Sequence, residues 1–146
     1  MKIVLGSDHR GFTLKHHAAD WLRDQGHTIQ DLGPTGPERA DYPDFASAVA
    51  HHVADHPDEF GILMCGSGIG MSIAANKVDG IRAALCYQPE LAELSRRHNN
   101  ANVLCLSADL VPEEVNLEII RSWLAAPFDG GRHQDRLAKI AKMETD

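Results

Sequence analysis

Short apolar runs and amphipathic stretches alternate along this chain. The apolar runs, which predict buried strands, lie at 2–6, 27–33, 60–66, 81–87 and 102–108. The stretches with apolar residues at helical spacing, which predict helices, lie at 12–26, 42–56, 70–78, 89–99, 112–126 and 132–143. Pro43 and Pro89 stand in the first turn of two of these helices, and Gly26 marks the end of another.

A strand followed by a helix, repeated five times and completed by an extra C-terminal helix, is typical of an α/β fold. We therefore predict a Rossmann-like three-layer α/β/α sandwich with a five-stranded parallel sheet. The length of 146 residues fits a single domain over 1–146. In such a sheet, ligands bind at the carboxyl ends of the strands, so the loops that follow the strands are the first places to search for chemistry.

Composition excludes several classes of function. The net charge of −7 argues against nucleic acid as a partner. No apolar run approaches the roughly 20 residues that span a bilayer, so no membrane partner is expected. Polar residues, Asp8 and His9, come too early for a signal peptide, which favours a cytoplasmic location. Three cysteines without CxxC spacing argue against a disulfide framework or a zinc ribbon.

The stretch CGSGIGMS at 65–72 follows the third predicted strand. Its three alternating glycines leave main-chain N–H groups free to approach an anionic ligand, and a helix begins near Gly70. A cysteine beside such donors suits a base or a nucleophile acting on a substrate that develops negative charge. The alternative is a buried cysteine that precedes a tight turn. The pattern is not a dinucleotide-binding fingerprint, because it follows the third strand rather than the first.

The segment SDHRG at the end of the first strand places a carboxylate beside an imidazole. Asp8 can accept a hydrogen bond from a hydroxyl group, and His9 can donate to an anion or move a proton. The alternative is a turn in which Asp8 caps the next helix.

Other charged residues leave two interpretations open. Arg132 and Arg136 share one helical face, where they form either a phosphate clamp or a solvated surface pair. His98 lies between a helix and the amino end of the fifth strand, the wrong edge for its own sheet's active site. The histidine pairs at 16–17 and 51–52 diverge around their helices and are expected at the surface. No metal site is predicted.

Several blocks of the sequence resemble a known family. GSDHRGFTLK, DYPDFA, CGSGIGMSIAANK, GIRAALC, RRHNNANVLCL and GGRHQDRLAKI are similar to the type B ribose-5-phosphate isomerases, and the galactose-6-phosphate isomerase subunits share much of this pattern. The blocks occur in family order over nearly the whole chain. The resemblance implies an aldose–ketose isomerase that acts on a phosphorylated sugar through an enediolate, without metal or organic cofactor, and that assembles as a homodimer or tetramer.

The resemblance also implies roles for individual residues. Cys65 matches the proton-transfer base, and His98 matches the acid that helps to open the sugar ring. Ser67 and the neighbouring main-chain N–H groups match the loop that holds the enediolate. The full set of matching catalytic and substrate-binding residues is Asp8, His9, Tyr42, Cys65, Gly66, Ser67, Gly68, Ile69, Gly70, His98, Asn99, Arg132 and Arg136.

The position of His98 suggests that the active site is shared between subunits. Its own sheet places it at the edge opposite to the cysteine loop, whereas a partner chain could present it. We expect His98, Asn99 and the pair Arg132 and Arg136 to face the Cys65 pocket of a neighbouring chain.

One position departs from the family pattern. After the fifth strand the family usually has Gly-Ala-Arg or Gly-Ser-Arg, whereas this chain has SADLVP. Asp109 therefore stands where an arginine is common and is a further candidate for substrate binding. A carboxylate there repels a phosphate but can accept a hydrogen bond from a hydroxyl group. The expected reaction interconverts ribose 5-phosphate and ribulose 5-phosphate, with allose 6-phosphate, galactose 6-phosphate or a tetrose phosphate as alternative substrates.

Two hypotheses of other classes share these features. A flavodoxin-like, nucleotide-binding regulatory domain has the same alternation of strands and helices with a glycine loop, but it has no use for Cys65. A thiol redox protein needs a resolving cysteine nearby, and Cys86 and Cys105 fall on separate predicted strands.

Overall fold

The computed structural model describes residues 1–145 and contains five strands and six helices in that range. In chain order they are β1 (Lys2–Ser7), α1 (Phe12–Asp24), β2 (Thr28–Asp31), α2 (Tyr42–Asp55), β3 (Phe60–Cys65), α3 (Ile69–Ala75), β4 (Ala83–Leu85), α4 (Pro89–Asn99), β5 (Val103–Ser107), α5 (Glu113–Ala125) and α6 (Arg132–Thr145). The strands form one parallel sheet in the order β2-β1-β3-β5-β4.

Two apolar layers confirm the predicted three-layer sandwich. Alternate residues of a strand point to opposite faces, and Ile3 and Leu5 of β1 pack on one face whereas Val4 packs on the other. The first face is covered by α1, α4 and α5, and α5 contributes the fully buried Trp123. The second face is covered by α2 and α3, and Cys65 belongs to this layer.

The three central strands are the continuous apolar runs expected of a sheet covered on both faces. All but the first residue of β1 and of β3 are buried, as is all of β5. The edge strands β2 and β4 are only partly buried. They are also shorter than predicted, Thr28–Asp31 instead of 27–33 and Ala83–Leu85 instead of 81–87. Main-chain bonds to the neighbouring strand continue past their ends, from Leu32 N to Leu5 O at 2.9 Å and from Cys86 N to Cys105 O at 3.2 Å, but side chains take over part of the hydrogen bonding there. The Asp31 carboxylate accepts from Gly33 N at 2.8 Å, and Asn102 Oδ1 accepts from Arg82 N at 2.8 Å.

A buried lysine joins α1 to the segment after β2. Lys15 has no exposed surface, and its Nζ donates to Asp31 Oδ1 at 2.8 Å and to Pro34 O at 2.7 Å. A charge at this depth is tolerated only because it is paired and hydrogen-bonded. The contact holds the long segment at 33–41 close to the carboxyl end of β1, where Gly33 O accepts from Ser7 N at 3.1 Å.

Among the residues that the structure describes, no helix combines the length and apolar character that a membrane span requires.

Candidate active site

A pocket of about 530 Å³ opens at the carboxyl ends of β1, β3 and β5. The chain leaves β1 toward β2 on one side and continues through β3 on the other, so this is the point at which the strand order reverses. The pocket brings together eight of the residues predicted from sequence: Asp8, Tyr42, Cys65, Gly66, Ser67, Ile69, Gly70 and Asp109. Two further lining residues, Arg10 and Ile73, were not predicted.

The Cys65 thiol has a fixed position at the end of β3. The side chain is 5% exposed, and its Sγ accepts a hydrogen bond from Gly68 N at 3.1 Å. Gly66 O and Cys65 O accept from Asp109 N at 3.1 Å and Ala108 N at 2.9 Å, so the link between β3 and β5 continues past the strands. The sulfur is therefore held at the pocket wall by main-chain contacts.

Crowding explains why glycine occupies two positions of the cysteine loop. Gly68 has φ +80°, and a Cβ there would lie 2.6 Å from Leu85 Cδ1 and 2.9 Å from the carbonyl oxygen of Leu106. A Cβ on Gly70 would lie 2.6 Å from the ring of Tyr42. The main chain thus approaches its neighbours as closely as it can, and its N–H groups are positioned by packing.

Ser67 has its main chain fixed and its hydroxyl proton available. Its carbonyl oxygen accepts from Tyr87 Oη at 2.7 Å, and its Oγ accepts from Ile69 N at 3.1 Å. Because the Oγ acts as an acceptor within the loop, its own O–H group can donate to an oxygen atom of a ligand.

Asp8 and His9 both fix the loop after β1. Asp8 is 6% exposed, and its Oδ1 accepts from Arg10 N at 2.9 Å and Gly11 N at 3.0 Å. The predicted turn is therefore present, although the residue that caps α1 is Gly11. His9 does not line the pocket, and its Nδ1 lies 3.2 Å from Ala40 O, which ties this loop to the segment at 33–41.

Asp109 is paired with an arginine that sequence reasoning missed. Arg10 Nε donates to Asp109 Oδ2 at 2.5 Å, and this hydrogen bond is the main cause that raises the pKa of Arg10. Gly66 leaves room for the pair, since a Cβ there would lie 2.9 Å from Asp109 Oδ2 and 3.0 Å from Arg10 Nε. The signal available in the sequence was the arginine in SDHRG, next to two residues that were predicted to bind substrate.

Besides His9 and Gly68, four predicted residues lie outside this pocket in the single chain. The ring of His98, near the end of α4, stacks on that of His133 with centroids 4.3 Å apart. Asn99 lines a separate cavity of about 600 Å³. Arg132 and Arg136 belong to α6. The pKa of the neighbouring His133 is lowered first by desolvation, then by His98 and by these two arginines. None of these four residues lines the pocket that contains Cys65 of the same chain.

The other two cysteines are packing residues. All three thiols are free and buried. Burial raises the pKa of Cys86 to about 11 and also raises the pKa of Cys105. These two thiols therefore remain protonated at neutral pH, which makes them poor nucleophiles and poor resolving groups for a redox reaction.

Within residues 1–145, two groups of side chains could hold a metal ion, and neither lines the Cys65 pocket. One consists of His52, His56 and Glu59, and the other consists of His98, Asp129 and His133; the ligand atoms of each lie within 4.8 Å of one another. Glu59 Oε1 accepts from Lys2 Nζ at 2.8 Å.

Comparisons with known proteins place the chain in a family. The sequence profile described as Ribose/Galactose Isomerase matches residues 3–140. Ribose-5-phosphate isomerase B of Escherichia coli (strain K12) is 47% identical over 143 residues, 98% of this chain and 96% of the relative. D-erythrulose-4-phosphate isomerase of Pectobacterium atrosepticum is 42% identical over 146 residues, with coverage of 99% and 95%.

A solved structure also supports the fold. Ribose-5-phosphate isomerase B from Mycoplasma genitalium, crystallised with bound ribulose 5-phosphate, superposes with a TM-score of 0.97 at 45% identity, covering 99% of this chain and 97% of that one. The family profile, the full-length relatives and this superposition agree, and the chain belongs to the ribose/galactose isomerase family.

Proposed function

We propose that this protein interconverts ribose 5-phosphate and ribulose 5-phosphate by moving a proton between C2 and C1. The observation that carries the proposal is the Cys65 sulfur, held by Gly68 N at 3.1 Å in the wall of a pocket at the carboxyl edge of the sheet. Relatives of nearly the same length and 45–47% identity are ribose-5-phosphate isomerases by name, which supports the same substrate here.

The groups of the pocket suit each part of an aldose–ketose isomerisation. In the thiolate form, Cys65 takes the proton from C2 of the open-chain aldose, and the electron pair of that C–H bond forms the double bond of an enediolate. The O–H group of Ser67 and the loop N–H groups stabilise the negative oxygen at C1. The thiol then returns the proton to C1, while the O2 proton passes to O1, a transfer that Asp8 and Ser67 in the pocket lining can assist. No atom or electron is gained or lost overall.

Ring opening calls for a general acid, and no histidine is among the described residues that line the pocket of a single chain. We assign this role to His98 of a partner subunit, together with Asn99 and the arginines 132 and 136, in a homodimer or a tetramer built from such dimers. Mixing the inactive variants Cys65→Ala and His98→Ala tests the shared site, because a hybrid dimer contains one intact site. We expect activity to return on mixing; hybrid dimers without activity would contradict a shared site.

The reaction is tested by purifying the wild type and following ribulose 5-phosphate formation from ribose 5-phosphate. Loss of a general base costs about 10²- to 10⁴-fold in kcat, and we expect Cys65→Ser to lose activity in that range with KM nearly unchanged. The matched control is Cys86→Ala, a buried thiol that packs on the opposite face of the sheet from Cys65 and does not line the pocket, which should retain its kcat. A Cys65→Ser enzyme with more than a tenth of wild-type kcat would contradict the assigned base. A chelator should leave the rate unchanged.

A second candidate substrate is favoured by Asp109, which stands where the family commonly has arginine. A tetrose phosphate, as in the name of the Pectobacterium relative, or a hexose 6-phosphate such as allose or galactose 6-phosphate, would be isomerised by the same groups. A panel of these aldose phosphates, compared by kcat/KM, decides among them. The highest kcat/KM for ribose 5-phosphate supports the proposal, and a higher value for another sugar replaces it. A cytoplasmic location belongs to the same proposal, because charged sugar phosphates do not cross bilayers unaided.

A further inference from the structure

We propose that Arg10 binds the phosphate group of the substrate and that Asp109 positions its guanidinium group. This inference rests on the proposed function, since it names how the pocket recognises a sugar phosphate. It assigns a role to a residue that the sequence analysis left unassigned, and it explains why a carboxylate is tolerated at position 109.

The charges that line the pocket point to Arg10. The carboxylates of the lining are Asp8 and Asp109, and Arg10 is the single cation among the described residues that line the pocket. Asp8 has one carboxylate oxygen engaged by main-chain N–H groups. A phosphate that enters this pocket meets two carboxylates, and Arg10 is the group within the chain that can offset their repulsion.

The geometry leaves the binding edge of Arg10 available. The guanidinium group has a fixed fork of five donors, and Asp109 engages the Nε–H group. The two Nη atoms, with four N–H donors, remain for a second oxygen-rich partner, and phosphate suits this planar arrangement. The side chain is 59% exposed and Asp109 is 39% exposed, so the free edge can be reached from solvent.

The location fits the phosphate end of an extended sugar. Arg10 Nε lies 3.0 Å from where a Cβ of Gly66 would be, and Gly66 directly follows the proposed base. The cation and the proposed base therefore line one pocket, so a sugar phosphate bound at Cys65 can reach Arg10 with its phosphate end. An exposed ion pair contributes about 0–1 kcal/mol to stability, so folding alone does not require the pair, and substitution of Arg10 should leave the protein folded.

Arg10 is independent of the arginines on α6. Arg132 and Arg136 do not line the pocket of their own chain, whereas Arg10 and Asp109 line it from the loops after β1 and β5 of the same sheet. An arginine at position 109, as in the family pattern, would enter the same pocket from the loop after β5. This chain has the cation on the loop after β1 and a carboxylate opposite that holds it.

The experiment compares Arg10→Gln with the wild type and with Arg23→Gln. Arg23 is the matched control, because it is 53% exposed and ion-paired with Asp20 at 3.5 Å on α1. Three quantities are measured at constant ionic strength: KM for ribose 5-phosphate, kcat, and the affinity for inorganic phosphate by inhibition and by calorimetric titration. Asp109→Ala is measured in the same way.

For Arg10→Gln we expect KM and the dissociation constant for phosphate to rise together by about 10- to 100-fold, the range for loss of a charge-assisted hydrogen bond. The value of kcat should stay within a few-fold, because a group that binds ground state and transition state equally affects KM alone. Asp109→Ala should raise the same two constants by a smaller factor, since the cation remains but its orientation is lost. Arg23→Gln should match the wild type.

Two results would overturn the role of Arg10. One is a KM and a phosphate dissociation constant within twofold of the wild type. The other is a fall in kcat with both constants unchanged, which would place Arg10 at the enediolate instead. A KM for Asp109→Ala at or below the wild-type value would overturn the positioning role of Asp109. A wild-type enzyme inactive on ribose 5-phosphate would contradict the proposed function, while the phosphate titration would still report on Arg10.

Discussion

Replacing Gly68 with alanine tests whether crowding, and not only backbone conformation, fixes the cysteine loop. Gly68 has φ +80°, and an added Cβ would lie 2.6 Å from Leu85 Cδ1 and 2.9 Å from the carbonyl oxygen of Leu106. Gly26 is the matched control, because it has φ +94° and nothing within 4 Å of the same atom. The two substitutions share a conformational cost and differ in steric cost.

The magnitudes follow from these contacts. A non-glycine residue in the left-handed region costs about 1–2 kcal/mol, which is the whole effect expected for Gly26→Ala. Gly68→Ala adds overlap with the main chain of β5, which cannot rotate away, and overpacking of this kind costs about 1–3 kcal/mol. We therefore expect Gly68→Ala to lower the free energy of unfolding by about 2–5 kcal/mol.

Activity should separate the two variants more sharply than stability does. Relief of the overlap moves Gly68 and its N–H group away from Cys65 Sγ, and a displacement of about 1 Å at a reacting group can cost 10²-fold in rate. We expect kcat to fall by about that factor in Gly68→Ala and to remain at the wild-type level in Gly26→Ala. Urea unfolding at one fixed protein concentration gives the free energies, and the ribose 5-phosphate assay gives kcat. Equal destabilisation in both variants together with full activity in Gly68→Ala would refute the reasoning.

Two further predictions concern stability. Asp31→Ala leaves the fully buried Lys15 charge with a single neutral acceptor, and it should lower the free energy of unfolding by about 3 kcal/mol. Lys15→Met removes the charge itself and should lower it by about 1 kcal/mol or less. Urea unfolding compares the two variants, and equal losses of stability would contradict the role of the buried charge. A hydrogen bond from Lys2, and to a smaller extent one from His52, lowers the pKa of Glu59 from 4.5. The charged form of Glu59 therefore stabilises the fold above pH 4.5, and this contribution disappears as the pH falls through the lowered pKa. Unfolding free energies of Glu59→Gln and wild type should therefore differ near pH 7 and converge in acid; a difference independent of pH would contradict this linkage.

The fold was predictable because its local signals agree with one another. Apolar runs for β1, β3 and β5 are continuous, since both faces of these strands are covered, and prolines and glycines mark the helix ends. Sequence periodicity overestimated the edge strand β4 and also the helix α3, which ends at Ala75 instead of 78. At the end of α3, Asn76 exchanges hydrogen bonds with the main chain of Ala83, and such a contact between distant segments leaves no periodic signal.

The candidate site was predictable where it follows strand ends and unpredictable where it depends on pairing. Asp8 and Cys65 were placed correctly, because the carboxyl ends of parallel strands meet at one edge. The pairing of Arg10 with Asp109 was missed, since nothing in the sequence indicates which side chains of two loops lie opposite each other. The predicted meeting of His98 with Cys65 concerns a second chain and stays a prediction.

The parallel pairing of β1 with β3 has a kinetic consequence. Ser7 and Met64 are partners in that ladder, so the aspartate and the cysteine that follow them meet only after a long loop has closed. Contacts between residues far apart in sequence form slowly, because the chain loses the entropy of loop closure before these contacts can stabilise it. During refolding, catalytic activity should therefore return no earlier than the tertiary core, well after the helices regain their circular dichroism.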